Sequence, residues 1–137
     1  MTVRIISLFI LSAIGVTSLT ACKKNNDAIS AEQLLTQGNW FVHYFYDGSD
    51  ETNAFSQYVF TFTQDGNVSV TATGVLLHGS WQIIHNNGAG VLTIQIITGT
   101  VISKLNDAWK ITGNSGDLIE MENSGTAPTY QLHFKKT

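Results

Sequence analysis

A period of two governs this chain from Trp40 onward, and no other feature limits its fold so strongly. Trp40, Val42, Tyr44 and Tyr46 alternate with Phe41, His43 and Phe45, which puts the two sets on opposite faces of a strand. Tyr58, Phe60 and Phe62 then alternate with Val59, Thr61 and Thr63, and Val68, Val70 and Ala72 with Ser69 and Thr71. Between those two runs lies Gln64-Asp65-Gly66-Asn67, and Asp-Gly between alternating segments is a strong hairpin signal. Further runs at residues 77–85, 91–97, 108–112, 118–122 and 130–135 are separated by turn-forming clusters. These are Asn86-Asn87-Gly88-Ala89-Gly90, Gly113-Asn114-Ser115-Gly116, and Asn123-Ser124-Gly125 running on to the only proline, Pro128. Eight strands joined mostly by short loops predict an all-β antiparallel meander, as a sandwich or a barrel. Closure removes both sheet edges, so an eight-stranded up-and-down barrel is the expected fold.

One short helix precedes the strands. Ser30-Ala31-Glu32-Gln33 fits a capping box, with Ser30 as N-cap and Gln33 reaching back, ahead of Leu34 and Leu35. The helix is expected to reach about Gln37, with Gly38 ending it.

The N-terminus reads differently. Arg4 is the only charge in the first 22 residues, and residues 5–21 are mostly Ile, Leu, Val, Ala and Phe. A basic start followed by an apolar stretch is the layout of a secretory signal. The run stops at Leu19-Thr20-Ala21-Cys22, which holds the chain's one cysteine. That tetrapeptide resembles the lipobox of bacterial lipoproteins, which implies cleavage before Cys22 and lipidation of its thiol. Acyl chains there would anchor the protein by roughly 0.8 kcal/mol per buried methylene. Residues 1–21 are therefore expected to be a signal peptide, 22–29 a flexible tether and 30–137 one barrel domain. No Asp follows Cys22, so among sorted lipoproteins the chain resembles those of the outer membrane of the bacterial cell envelope.

A second resemblance covers most of residues 34–135. Gly38-Asn39-Trp40 opens the first strand, and YVFTFTQDGNV (58–68), GSWQIIHNNGAGVLTI (79–94) and WKITGNSGDLIEM (109–121) follow in order. Together they resemble the lipocalin-like domain of small lipoproteins of Bacteroidota. The resemblance implies a small barrel without assigned chemistry, with Trp40 closing its base and a basic residue over that ring, a role open here to Lys135 or Lys136.

Composition excludes one class of partner. From Ser30 onward four lysines face nine acids, a net charge of −5 with no arginine, whereas nucleic-acid binding needs a basic face to displace phosphate counterions. Individual residues offer little chemistry. His78 and His85 are seven apart, so a regular strand turns them to opposite faces; His43 and His133 meet outside only if the first strand pairs with the last. Glu120 and Glu122 share a face, but Ile119 and Met121 claim the core and leave both carboxylates in water. Asp47, Asp50 and Glu51 crowd one loop without the spacing of a calcium hand. No nucleophile elbow, phosphate loop or dinucleotide fingerprint occurs. Neither catalysis nor a metal or cofactor is expected.

Aromatics carry the remaining argument. If Trp40, Tyr44, Tyr58, Phe60, Phe62, Trp81, Tyr130 and Phe134 all point inward, they either fill an eight-stranded barrel or line a pocket for one small apolar ligand. In the second case Trp40, Tyr44, Phe60 and Trp81 are the expected lining. Phe41 and Phe45 then lie outside, covered by Leu34 and Leu35. In the first case the partner is another envelope protein, recognised by the loops at residues 47–56 and 97–107, the latter holding Val101 and Ile102 without a strand to bury them.

Overall fold

The computed structural model describes residues 29–125 and 129–137. Cys22, the expected signal peptide, most of the expected tether and Pro128 lie outside the described residues.

Helix α1 (Ala31–Leu35) starts from the capping box read in the sequence. The Ser30 hydroxyl accepts from the Gln33 N–H at 3.2 Å, and the Ser30 N–H donates to the Gln33 side chain at 3.3 Å. The helix stops two residues earlier than expected, and one of its orphan C-terminal carbonyls is put to use. Trp40 Nε1 donates to the Leu35 carbonyl at 2.9 Å, which ties the helix to the first strand.

Eight strands follow: β1 (Asn39–Tyr46), β2 (Val59–Phe62), β3 (Asn67–Ala72), β4 (Val75–Asn86), β5 (Ala89–Ile96), β6 (Ala108–Asn114), β7 (Leu118–Asn123) and β8 (Gln131–Lys136). They form one closed antiparallel barrel in sequence order, sealed by β1 against β8. The expected fold is the observed one. Turn chemistry fixes the registers. Asn87 and Gly88 both have positive φ (51° and 86°), the signature of a tight two-residue hairpin, and Asn86 pairs with Ala89. The strands therefore run further into the Asn-rich cluster than composition suggested. At the Asp-Gly loop, Gly66 takes φ +83° while the Thr63 N–H donates to the Asn67 carbonyl at 2.9 Å, closing a three-residue loop.

One face expectation is overturned. The β1–β8 register slips between Val42 and Tyr44, and such a bulge reverses the alternation beyond it. Trp40 and Val42 point inward as read, but Phe45 follows them and Tyr44 turns out. The gain is apolar: Phe45 packs on Phe55 at 4.9 Å and Trp109 at 6.2 Å, while Tyr44 is half-buried with its ring 5.2 Å from His133.

Both ends of the barrel are closed. At the α1 end Leu34 and Leu35 are buried over the core. At the opposite end two short 3₁₀ turns fold inward, Thr52–Phe55 and Val101–Leu105, burying Phe55, Ile102 and Leu105. This corrects the expectation that the second loop leaves Ile102 unburied; the segment lacks a strand but makes a plug. Asn106 holds it there: its Oδ1 accepts from the Ile96 N–H at 2.7 Å and its Nδ2 donates to the Ile96 carbonyl at 2.8 Å, extending β5 by a side chain. Among the described residues, the buried hydrophobic side chains run from Leu34 to Phe134.

Candidate binding surfaces

Of the four residues expected to line a ligand pocket, three point inward and one does not. Trp40 and Phe60 are 0% exposed, Trp81 is 9% exposed, and Tyr44 lies on the outer face. A side chain beside a water-sized void would show accessible surface. Trp40, Phe60, Val70, Leu92, Ile94, Ile96, Trp109, Ile119, Leu132 and Phe134 show none. The rings instead meet one another: Phe134 lies 5.1 Å from Phe60 and 5.7 Å from Phe62, and Phe62 meets Trp81 edge-on at 5.6 Å. The interior is filled, as close-packed cores are.

Three inward aromatics escaped the sequence reading. Phe45 needed the bulge, which no pattern announced. Phe55 sits in an irregular loop where periodicity is silent. Trp109 was legible, since Lys110 beside it must face water. Its Nε1 donates to the Leu105 carbonyl at 2.9 Å, tying the 3₁₀ plug to β6 as Trp40 ties α1 to β1. Lys136 Nζ lies 5.4 Å from the Trp40 ring centroid, which gives that ring a basic cover.

Outside the core, one groove stands out. It holds about 500 Å³ between α1 and the β2–β3 hairpin and is lined by residues that include Glu32, Gln33, Gln64, Asp65, Trp81 and Gln82. Trp81 forms its floor, held by an Nε1 donation to the Thr63 carbonyl at 3.0 Å. Both acids of the groove are engaged. Glu32 pairs with His85 at 2.5 Å; partial burial opposes its ionisation, but backbone, His85 and Ser30 hydrogen bonds outweigh that and hold its carboxyl below the usual range. Asp65 accepts from the Thr63 hydroxyl and from Asn67 Nδ2 at 2.7 Å, and those bonds lower its carboxyl likewise. The amides of Gln64 and Gln82 add neutral hydrogen-bonding groups beside the indole, while the ionised Glu32 and Asp65 make the groove unfavourable for an anion.

The plugged end is knitted by charge. Lys104 donates to Asp47 at 2.9 Å and to Glu51, and those bonds, Glu51 first, hold its ammonium above the usual lysine range. Asp50 accepts from the Thr52 N–H at 3.0 Å. The acidic loop is thus tied to the second plug through Asp47 and Glu51, while Asp50 orders the loop's own turn.

On the outer face of β7–β8, Glu120 stands opposite His133 in the ladder and the Tyr44 ring lies against the imidazole. Burial pushes the His133 pKa below its ordinary 6.5, Glu120 pulls it up, and nearby His43 pushes it down again. The fold therefore favours the neutral ring, and the unfolded chain binds more protons just below pH 6.5. Stability is lost as pH falls from 6.5 through the lower folded-state value. Urea midpoints measured at about pH 7.5 and pH 5 should show this loss, and His133→Gln should flatten the difference. An unchanged slope in the variant would assign the acid sensitivity elsewhere.

No family model matches the chain, and no curated protein matches it. Among solved structures it is similar to a crystal structure of a DUF4847 family protein from Bacteroides vulgatus, with a TM-score of 0.59 and 18% identity over 79% of this chain and 98% of that one. At that identity the likeness speaks for the barrel fold alone.

Proposed function

We propose that this chain is a non-catalytic, lipid-anchored lipoprotein of the bacterial cell envelope, outer membrane included, whose barrel is a solid scaffold with its ligand site on the outside. The filled interior carries this reading: an apolar guest would have to displace Trp40, Phe60 and Phe134, all 0% exposed. The anchor rests on the Leu-Thr-Ala-Cys leader. Membership of the lipocalin-like lipoproteins is supported by the quoted motifs, by the closed eight-stranded barrel and by Trp40 lying under a lysine. The site is the groove floored by Trp81, and its ligand is small and carries no negative charge, because Glu32 and Asp65 there are both held in the ionised form.

The first test is extraction and mass spectrometry of compounds that co-purify with the Lys23–Thr137 protein from a bacterial periplasm. We expect no stoichiometric fatty acid or other apolar compound; finding one would return the ligand to the barrel. A bound compound should change the tryptophan emission, and Trp81→Phe should remove that response. Cys22→Ala should abolish incorporation of a labelled fatty acid into the full chain, and labelling that persists in the variant would sink the anchor.

A further inference from the structure

A carboxylate that already accepts several hydrogen bonds keeps its charge but has little left to accept with. Both acids beside Trp81 are in that state. Asp65 Oδ1 accepts from the Thr63 hydroxyl and from the Asn67 N–H at 3.4 Å, and its Oδ2 accepts from Asn67 Nδ2 at 2.7 Å. All of those donors are neutral, so the charge of Asp65 is not offset. Glu32 Oε1 meets His85 Nε2 at 2.5 Å, and backbone and Ser30 hydrogen bonds add to it. Even a protonated His85 leaves two negative charges against one positive.

Nothing else in the groove restores the balance. Among the described residues no lysine or arginine lines it, and the sequence from Gly66 to Ser103, which supplies Trp81, Gln82 and His85, contains neither. Three of the four lysines after Ser30 are engaged elsewhere: Lys104 with Asp47 and Glu51, Lys110 beside Glu122, Lys136 over Trp40. Beneath the two charges lies the indole. Trp81 is 9% exposed, whereas Trp40 and Trp109 are fully buried, and its Nε1–H is committed to the Thr63 carbonyl. What the ring can give a ligand is therefore π surface.

We propose that the groove between α1 and the β2–β3 hairpin binds a small quaternary or highly methylated ammonium compound, its cationic head on the Trp81 ring between Glu32 and Asp65. The assignment rests on the groove being the ligand site and names the chemistry of what it takes. Charge and hydrogen bonding separate the candidates. An anion is repelled by both acids. A primary amine or a guanidinium brings N–H donors that lose water on entry and need acceptors, which these carboxylates have already given to the protein. A methylated ammonium has no N–H to satisfy and is attracted both to an aromatic ring and to uncompensated negative charge. Its methyl groups can rest on Ile83, and the amides of Gln64 and Gln82 are left for a hydroxyl on a short tail. About 500 Å³ accommodates such a molecule. The net charge of −5 from Ser30 onward draws cations in the same sense. The source is a free compound and not a phosphocholine headgroup, whose phosphate would face the same two acids.

The test is a ligand-observed NMR titration of the protein expressed from the full chain and held in a maltoside detergent, which carries no ammonium. Choline is the probe, and neohexanol, with carbon in place of the nitrogen, is its uncharged isostere; the methyl signal of each reports binding. We expect choline to bind with a Kd on the order of millimolar, about fivefold or more tighter than neohexanol. Gln82→Lys puts an ammonium at an exposed position on the rim, and it should weaken choline by about tenfold while leaving neohexanol binding and the thermal midpoint unchanged. Asp65→Asn should weaken choline by about threefold. Neohexanol bound as tightly as choline overturns the cationic assignment but leaves the groove a site for neutral compounds. If neither binds, the groove is not the site and both readings fall. A choline response indifferent to Gln82→Lys puts the cation elsewhere and overturns the proposal. So does phosphocholine, free or on phosphatidylcholine vesicles, binding as tightly as choline, which would give the site to a lipid headgroup.

Discussion

Trp40→Ala should cost about 3–5 kcal/mol of unfolding free energy, a large share of the roughly 5–15 kcal/mol that holds a domain of this size. Three losses coincide at one residue. The indole is fully buried where β1 meets both β2 and β8. Its Nε1 satisfies the Leu35 carbonyl at the end of α1, and without it a buried acceptor goes unpaired at about 1–3 kcal/mol. Lys136 also loses the ring under its ammonium. With a urea slope of about 1–3 kcal/mol/M, the midpoint should fall by roughly 2 M. Trp40→Phe separates the contributions: it restores most of the apolar contact but not the hydrogen bond, so it should recover part of the loss. If alanine and phenylalanine were equally tolerated, α1 would not be fastened through the indole and the closure of this end would need another cause.

Phe134→Ala carries the second large effect, and its value is diagnostic. Phe134 touches Phe60 and Phe62 at the centre of the barrel, so removing it should cost about 3–5 kcal/mol and leave a cavity that neighbours only partly refill. A dry cavity lined by Phe, Leu and Ile takes up small apolar guests. Benzene or xenon should accordingly bind and stabilise the variant while leaving the native protein unaffected. Equal uptake by the native barrel would mean that space already exists inside it, and the outside-binding reading would fall. One substitution thus turns a solid scaffold into a container, which shows how narrow the margin is between the two readings of an aromatic-rich barrel.

The barrel was legible because it rests on patterns that water enforces along each strand. Ile119 and Met121 are buried while Glu120 and Glu122 stay partly exposed, as the period of two requires. The capping box of α1 and the Asp-Gly hairpin were legible too, since local chemistry alone decides them. Tyr44 and Phe45 were misread because a bulge at the β1–β8 seam is set by pairing with a strand some ninety residues away. Ile102 and Phe55 were misread for a related reason: their burial comes from tertiary docking of irregular segments, which periodicity does not describe. Trp81 was picked out as a ligand residue by its type, yet its place on the floor of a surface groove depends on α1 and the β2–β3 hairpin meeting beside it.

The seam itself has a topological consequence. The Thr137 N–H donates to the Asn39 carbonyl at 3.0 Å, so the start of β1 and the end of β8 stand side by side on the rim that α1 covers. Apart from this seam each strand is bonded to its neighbours in sequence, and the seam is one more antiparallel ladder among eight. The cylinder therefore has no privileged first strand. Joining Thr137 to Ser30 through a linker, which keeps α1 and its bond to Trp40, and cutting instead at Asn87-Gly88 would give a circular permutant with every ladder intact, in which the tether could leave from a hairpin of choice on the same rim.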